Sequence, residues 1–249
     1  MLDLTQLGIY AASYSLGNII MFISMPIVFI LYPQLVRLWE SNERIRLRLY
    51  LESSLKLFIA LAVPAAVGLF ILSQSLLSIM TTPEYAVGGV LVLLLSCGIL
   101  FYGIYQITVC IICLREQTKW LPVALVIPVA VNIIINMILV PELGIIAAAY
   151  AMLSAYFLMA LIVSIWAWRI FEYSFFPVFV LKIVIATTLM ALSLSLIRLN
   201  GIIYLVVATV AGIIIYSGIL FILRAVSKDD RIIISEIIAG LKTKYHSGS

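Results

Sequence analysis

Seven apolar runs, each about 20 residues or longer, constrain the fold of this chain more than any other feature. A helix needs about 20 apolar residues to cross the hydrocarbon core of a bilayer, which is about 30 Å thick. Only one charged residue, Lys182, falls inside the runs, which are residues 7–32, 57–80, 88–114, 121–140, 144–168, 177–197 and 201–223. Because these runs lack the two-residue alternation of barrel strands, they favour helices. The sequence therefore predicts an all-α, polytopic membrane bundle of about seven transmembrane helices.

The composition excludes most other classes of protein. Of the 249 residues, 65% are hydrophobic and 10% are charged, and the mean hydropathy is +1.25. Soluble domains are about 45–50% apolar and about 25% charged. A water-soluble globular domain, a disordered chain and a secreted disulfide scaffold are therefore excluded, and we expect a multi-pass protein of the cell membrane. The net charge of +4 reflects basic residues held beside anionic lipid and is no evidence of nucleic-acid binding.

Basic residues concentrate on one side of the predicted bundle. Lys and Arg are retained in cytoplasmic loops, and 14 of the 15 basic residues fall on the same side, with Arg198 alone opposite. We therefore expect a cytoplasmic C-terminus and, with seven spans, an N-terminus outside. Residues 1–224 form the predicted transmembrane bundle, and residues 225–249 form a cytoplasmic tail.

The segment before the first span is not a signal peptide. Met1–Gln6 contains no basic residue and no small-residue cleavage site. We expect a further span upstream, in a larger transporter of which this chain is a part. The alternative is that the first span inserts unaided with its N-terminus outside.

Two segments outside the runs are amphipathic. Residues 45–52 alternate apolar and polar side chains like a strand, but a lone strand at a membrane has no partner. We therefore expect a surface helix with snorkelling arginines. In the tail, Ser227 can cap a helix whose apolar stripe, Ile233 to Leu241, is expected to lie along the cytoplasmic interface.

The sequence contains no constellation for covalent chemistry. The sequence shows no pair of carboxylates within the spans and no glycine-rich loop that could bind phosphate. It also shows no histidine within reach of a Cys or an Asp. We therefore expect no enzymatic activity, no cofactor and no metal. Cys110 and Cys113 are spaced as C-x-x-C, but inside an apolar helix they are better explained as packing residues. His246, near the C-terminus, is interpreted as a solvated side chain.

Neutral polar side chains are the candidates for a binding site. An amide in hydrocarbon must be satisfied by a neighbouring helix, water or a ligand. Two asparagines four residues apart share one helix face, downstream of Pro122 and Pro128, which can bend that helix. The candidate residues of a substrate cavity are Asn18, Tyr14, Tyr102, Gln106, Asn132 and Asn136. The alternative is that these amides only hold helices together.

Several motifs resemble those of the oligosaccharide flippases, which belong to the multidrug, oligosaccharidyl-lipid and polysaccharide exporter superfamily. They are LGIYAASYSL at Leu7–Leu16, LFYGIYQI at Leu100–Ile107, and the pair Asn132 and Asn136 followed by VPELGIIAAA at Val140–Ala149. The resemblance implies the C-terminal half of a two-bundle carrier that works by alternating access. It also implies movement of a polyprenyl-diphosphate-linked oligosaccharide across the cytoplasmic membrane for polysaccharide biosynthesis.

The implied partners are membrane lipid, the lipid-linked sugar, and either an N-terminal half or a second copy of the chain. A second copy is expected to pair through the alanine-rich fifth run, residues 144–168. The substrate diphosphate needs cations that the middle and outer parts of the spans lack, so we expect these to come from the other half. Two other functions remain open: a multidrug or cation antiporter of the same superfamily, and a non-transporting scaffold subunit of a glycan-synthesis complex.

Overall fold

A computed structural model describes residues 4–80, 88–174, 176–196, 201–225, 230, 232–233 and 235–236. Its helices are α1 (Leu4–Gly17), α2 (Met21–Glu40), α3 (Arg44–Met80), α4 (Gly89–Leu114), α5 (Leu121–Leu143), α6 (Ile145–Ile170), α7 (Pro177–Ser195) and α8 (Gly201–Ile222). They make seven spans, because a single 3₁₀ turn joins α1 and α2 into one apolar segment of 37 residues. This part of the chain contains no strand. The all-α, polytopic fold class is thus confirmed.

The 3₁₀ turn, Asn18–Ile20, lies at a close approach between the first span and α4. A Cβ added to Gly17 would lie 3.2 Å from the backbone nitrogen of Ser96 and 3.3 Å from its Oγ. This contact is tighter than almost all real Cβ contacts, so glycine allows the helices to approach here. The turn therefore holds Asn18 next to α4.

The helices around the first connection are longer than the apolar runs. α2 continues through Pro33 to Glu40, and α3 begins at Arg44, so that residues 45–52 form its first turns. The prediction of a helix over residues 45–52 is confirmed, but its location at the membrane surface is wrong. Leu47 and Leu51, one turn apart, are fully buried in the main core, so the segment packs into the bundle as part of α3.

The main core lies between α2, α3, α4 and α6. The fully buried side chains of Leu35, Phe58, Leu95 and Ile111 belong to it. Gly103 of α4 is needed for this packing, because a Cβ there would lie 2.2 Å from Cζ of Phe58. α4 consequently occupies the centre of the bundle, with α1, α2, α3 and α6 around it.

α7 and α8 form a smaller core of their own against α3. Ile183, Ala186 and Met190 of α7 are buried there with Ala208 of α8. The hydroxyl of Tyr216 donates a hydrogen bond of 2.7 Å to the carbonyl oxygen of Ala60. This bond ties α8 to the middle of α3.

α5 lies on the outside of the bundle and packs mainly against α6. Among its side chains, only Pro128 is buried. Of the alanines of α6, Ala147, Ala149 and Ala151 are fully buried. They pack within the chain, and pairing of two copies through the alanine-rich helix stays a prediction.

Polar contacts join the helix ends that carry the basic side chains. Arg44 and Arg115 both contact Trp39, Arg48 reaches Ser174, and Nζ of Lys182 donates to the carbonyl oxygen of Arg224 at 3.3 Å. We call this the basic end of the bundle, defined by Arg37, Arg44, Arg48, Arg115, Lys119, Arg169 and Lys182. Its location in the cytoplasm stays a prediction, as does an N-terminus outside.

The described part of the tail packs on the protein. Ile233 is buried in the main core, and Asp230 is buried beside it. The expectation that Ile233 lies along the membrane surface is therefore wrong. Ser227, His246 and the stripe beyond residue 236 lie outside the described residues.

Candidate functional site

A cavity of about 290 Å³ lies between α1, α5 and α6. The residues that line it are Leu7, Tyr10, Asn132, Asn136, Ile145, Ala148 and Met152. The structure thus brings the two candidate asparagines to one cavity, together with a tyrosine of the first span. Three separate helices supply its walls.

The two asparagines are linked along α5. Nδ2 of Asn136 donates to the backbone oxygen of Asn132 at 2.9 Å and to its Oδ1 at 3.1 Å. Within the described residues, Nδ2 of Asn132 and Oδ1 of Asn136 make no hydrogen bond. A donor and an acceptor therefore remain for a ligand, in a pair whose geometry the helix fixes.

The wall formed by α1 and α6 contains a tyrosine and a methionine. The hydroxyl of Tyr10 donates to Sδ of Met152 at 3.8 Å. Ala148, Met152 and Tyr156 are spaced four residues apart and lie on one face of α6. The face that lines the cavity therefore continues to Tyr156.

Five tyrosines from three helices lie near one another, and one of them, Tyr10, lines the cavity. The ring of Tyr102 is 5.1 Å from that of Tyr156 and 5.6 Å from that of Tyr105. Tyr10 and Tyr14 are partly buried against the same main core as Tyr156. We call Tyr10, Tyr14, Tyr102, Tyr105 and Tyr156 the tyrosine cluster. It offers aromatic faces and hydroxyl groups side by side.

The other two candidate amides lie elsewhere. Oε1 of Gln106 accepts a hydrogen bond of 2.8 Å from Ser24, which links α4 to α2. Asn18 lies in the 3₁₀ turn, and its Oδ1 is buried without a hydrogen-bond partner in the described structure. Neither side chain lines the cavity. Gln106 contributes here to helix packing.

Sequence reasoning did not find Met152 or Tyr156. Met152 and Tyr156 belong to a helix whose many alanines indicate close packing of helices. Nothing in the sequence of that helix indicates which other helices contact these two residues. The spacing of Ala148, Met152 and Tyr156 was the available signal, since it defines one face. The partners of that face are known only from the fold.

The cavity and the tyrosine cluster are electrically neutral. Their residues carry no Asp, Glu, Lys or Arg. Among the described residues, no group of three or more His, Cys, Asp or Glu side chains is placed to hold a metal ion. The arrangement can offer hydrogen bonds and aromatic contacts, which suit a polar, uncharged ligand.

Comparisons with known proteins agree with the resemblance seen in the motifs. No family model matches the chain. Over 147 residues it is 23% identical to a probable low-salt glycan biosynthesis flippase, Agl15, of Haloferax volcanii. This match covers 59% of the chain and 31% of the relative, so the matched segment spans less than a third of that protein's length.

The fold has a counterpart among solved structures. The lipid II flippase MurJ, in an inward closed conformation, superposes on 85% of the chain with a TM-score of 0.66 and 21% sequence identity. The superposition covers 47% of the flippase. The chain therefore has the fold of about half of a lipid II flippase, and both comparisons support its resemblance to the lipid-linked oligosaccharide flippases.

Proposed function

We propose that this chain is part of a flippase that moves a polyprenyl-diphosphate-linked oligosaccharide from the cytoplasmic to the outer leaflet, for polysaccharide biosynthesis. The neutral, hydrogen-bonding cavity of about 290 Å³ beside the tyrosine cluster carries this proposal. It lies within a bundle that has the fold of part of a flippase.

The chemistry of the cavity suits a sugar. Sugar hydroxyls both donate and accept hydrogen bonds, and Asn132 and Asn136 together offer one free group of each kind. The apolar faces of a sugar ring can pack on the rings of Tyr102 and Tyr156. A carboxylate, the side chain that would hold a cation most strongly, is absent from the described lining. The cavity therefore favours a lipid-linked sugar over the cationic substrate of an antiporter.

The cavity is small, which supports the view that this chain forms only part of the binding site. Small-molecule sites measure about 300–1,000 Å³, so this cavity is at the lower limit and accommodates a small part of an oligosaccharide. α5, which forms one of its walls, exposes most of its apolar side chains, including Val126 and Ile133. We propose that a second bundle, from an N-terminal half or from a second copy, covers this side. The complete carrier then encloses the sugar between two bundles.

Transport in such a carrier needs no covalent step. Rocking of one bundle against the other would expose the sugar first to one side and then to the other, while the lipid chain stays in the bilayer. Pro26, Pro64 and Pro128 lie inside α2, α3 and α5, where each removes a backbone hydrogen bond and permits bending. We propose that the chain carries its substrate and does not convert it.

Substitution of the two asparagines tests this function. Asn132→Leu and Asn136→Leu, made in a complete carrier, remove the ligand-facing groups and keep the helix. Loss of one or two hydrogen bonds should reduce export about tenfold at unchanged abundance in the membrane. Export is measured as labelling of the lipid-linked sugar by an impermeant reagent at the outer surface. Met137→Leu, at an exposed position of the same helix, is the matched control.

Three outcomes contradict parts of the proposal. If abundance and export fall together, the asparagines serve packing. If the complete carrier exports a cationic compound and no lipid-linked sugar, it is an antiporter. If a separate flippase exports the sugar at a normal rate in the absence of this chain, the scaffold function is favoured.

A further inference from the structure

Two arginines and a tryptophan from three helices meet at the basic end. Trp39 lies near the end of α2, Arg44 begins α3, and Arg115 follows α4. Cζ of Arg44 is 3.7 Å from the centre of the Trp39 ring, and Cζ of Arg115 is 5.6 Å from it. Both distances are typical of cation–π contacts. The indole thus holds two positive charges next to each other.

These two guanidinium groups are not neutralised within the described part of the chain. Nε of Arg44 donates to the neutral Oδ1 of Asn42 at 3.1 Å, and Arg115 forms no salt bridge there. By contrast, Arg46 and Arg48 are each paired with a glutamate. A guanidinium has five N–H donors, so most donors of Arg44 and Arg115 remain available. Repulsion between the two charges would be relieved by an anion.

Other charges nearby leave the balance positive. Nζ of Lys119 lies 5.8 Å from the ring of Trp120 and adds a third cation close to Arg115 in the chain. Glu40 and Glu116 are exposed and make no salt bridge in the described structure. Arg44, Arg115 and Lys119 thus carry three positive charges, and Glu40 and Glu116 carry two negative charges.

The tryptophans place this cluster at the level of the lipid headgroups. Trp39 and Trp120 both lie where a membrane-spanning helix ends, which is the usual position of tryptophan at a membrane surface. Arginine side chains at such positions extend toward the headgroup region. The available N–H donors therefore lie at the depth of lipid phosphates.

An apolar groove of about 330 Å³ follows one face of α5. The residues that line it are Pro122, Leu125, Val126, Val129, Ala130 and Ile133. Pro122 follows Lys119 by three residues, so the groove starts within about one helical turn of Lys119. Its length and apolar lining suit a hydrocarbon chain.

We infer that the basic end binds the phosphate of a membrane lipid, with Arg44 and Arg115 on the phosphate and the lipid chain along the α5 groove. The groove identifies the ligand as a lipid, since a free phosphate has no chain to place there. Under the proposed function, on which this step rests, that lipid is the polyprenyl-diphosphate-linked substrate before it enters the cavity. The site then supplies cations that the spans lack.

Binding measurements on the full chain test the site. The chain is placed in nanodiscs of neutral phosphatidylcholine and titrated with a fluorescent polyprenyl diphosphate, and separately with the polyprenol that lacks phosphate. The double variant Arg44→Gln/Arg115→Gln should weaken binding of the diphosphate about tenfold, because charge-assisted hydrogen bonds are lost. Binding of the polyprenol should not change.

The control variant Arg46→Gln/Arg169→Gln removes the same charge from the same end, away from Trp39, and should change binding less than twofold. Both variants must elute from size exclusion like the unsubstituted chain. Equal losses in the two variants would mean that only net charge attracts the lipid, and would overturn the site. No loss in either variant would overturn it as well.

A competition experiment identifies the lipid that supplies the phosphate. Displacement of the probe by phosphatidylglycerol assigns the site to lipid phosphates in general, and failure of displacement assigns it to the diphosphate.

Export measurements distinguish failure of the site from failure of the proposed function. If the site binds the diphosphate but export in a complete carrier does not depend on the chain, the site stands and the flippase function fails. If export depends on the cavity asparagines but not on these arginines, the function stands and the site has no part in export.

Discussion

Asn132 and Asn136 illustrate how a polar site is built in a helix without charges. The hydrogen bonds from Asn136 to Asn132, at 2.9 and 3.1 Å, engage two of the four polar side-chain atoms of the pair and orient the other two. Their spacing of four residues was enough to predict a shared face. The tyrosines opposite were only partly predictable, since Tyr102 and Tyr156 are 54 residues apart in the sequence and meet through helix packing.

Tyr156 provides a prediction at this scale. Tyr156→Phe keeps the ring that packs on Tyr102 and removes the hydroxyl. A single neutral hydrogen bond is worth about 1 kcal/mol, so export by the complete carrier should fall about fivefold while thermal stability in detergent is kept. Tyr150→Phe, at an exposed position of α6, is the matched control and should have no effect. Wild-type export by the Tyr156→Phe variant would show that the hydroxyl does not bind the sugar.

The first turns of α3 connect elements that are far apart in the sequence. Nζ of Lys56 lies 2.9 and 3.0 Å from the two carboxylate oxygens of Asp230, and Ser53 donates to the same carboxylate at 2.9 Å. One turn closer to the start of α3, Tyr50 donates to Glu236. Among the described tail residues, the later one, Glu236, thus contacts an earlier turn of α3 than Asp230 does.

Hydropathy predicted the seven spans but not this contact. The apolar runs report which residues can lie in lipid, whereas α2 and α3 extend beyond them through segments with arginines and glutamates. Residues 45–52 were wrongly predicted to lie on the membrane surface, because Leu47 and Leu51 are buried by other helices. The sequence of one segment does not indicate which helices pack against it. In the same way, the tail stripe indicated a helix but not the surface that covers Ile233.

The Lys56–Asp230 pair yields a prediction at the scale of elements. Asp230 is 5% exposed, so Lys56→Met removes a cation at 2.9 Å from a buried carboxylate and should destabilise the fold by about 2–3 kcal/mol. The double variant Lys56→Met/Asp230→Asn should recover a large part of that loss. Thermal unfolding in detergent measures both. Arg46→Met, which breaks the exposed pair with Glu43, is the control and should cost under about 0.5 kcal/mol. Equal effects of the two single variants would contradict a structural role of the tail.

At the scale of the whole molecule, the bundle has a covered side and an open side. α4 is enclosed by its neighbours, while α5 keeps Val126, Ile133 and Met137 exposed and borders both the cavity and the groove. The cavity is small for an oligosaccharide, and on one side its wall is a single helix, α5. A second bundle placed against α5 would enlarge the cavity and close the groove from one side.

The last prediction follows from this open side. Expressed by itself in a flippase-deficient strain, the chain should not restore export. Co-expression of a matching N-terminal half should raise export at least about tenfold, because rocking requires two bundles.

Crosslinking tests the same open side. Cysteines introduced at Val126 or Ile133, in a chain whose native cysteines are replaced, should crosslink to the N-terminal half. Cysteine at Ile214, an exposed position of α8, is the control and should not crosslink to it. If the chain restores export by itself and the cysteine at Val126 crosslinks two copies, the complete carrier is a homodimer. In that case Ala147, Ala149 and Ala151 of α6 contribute little to its interface, because they are fully buried within each copy.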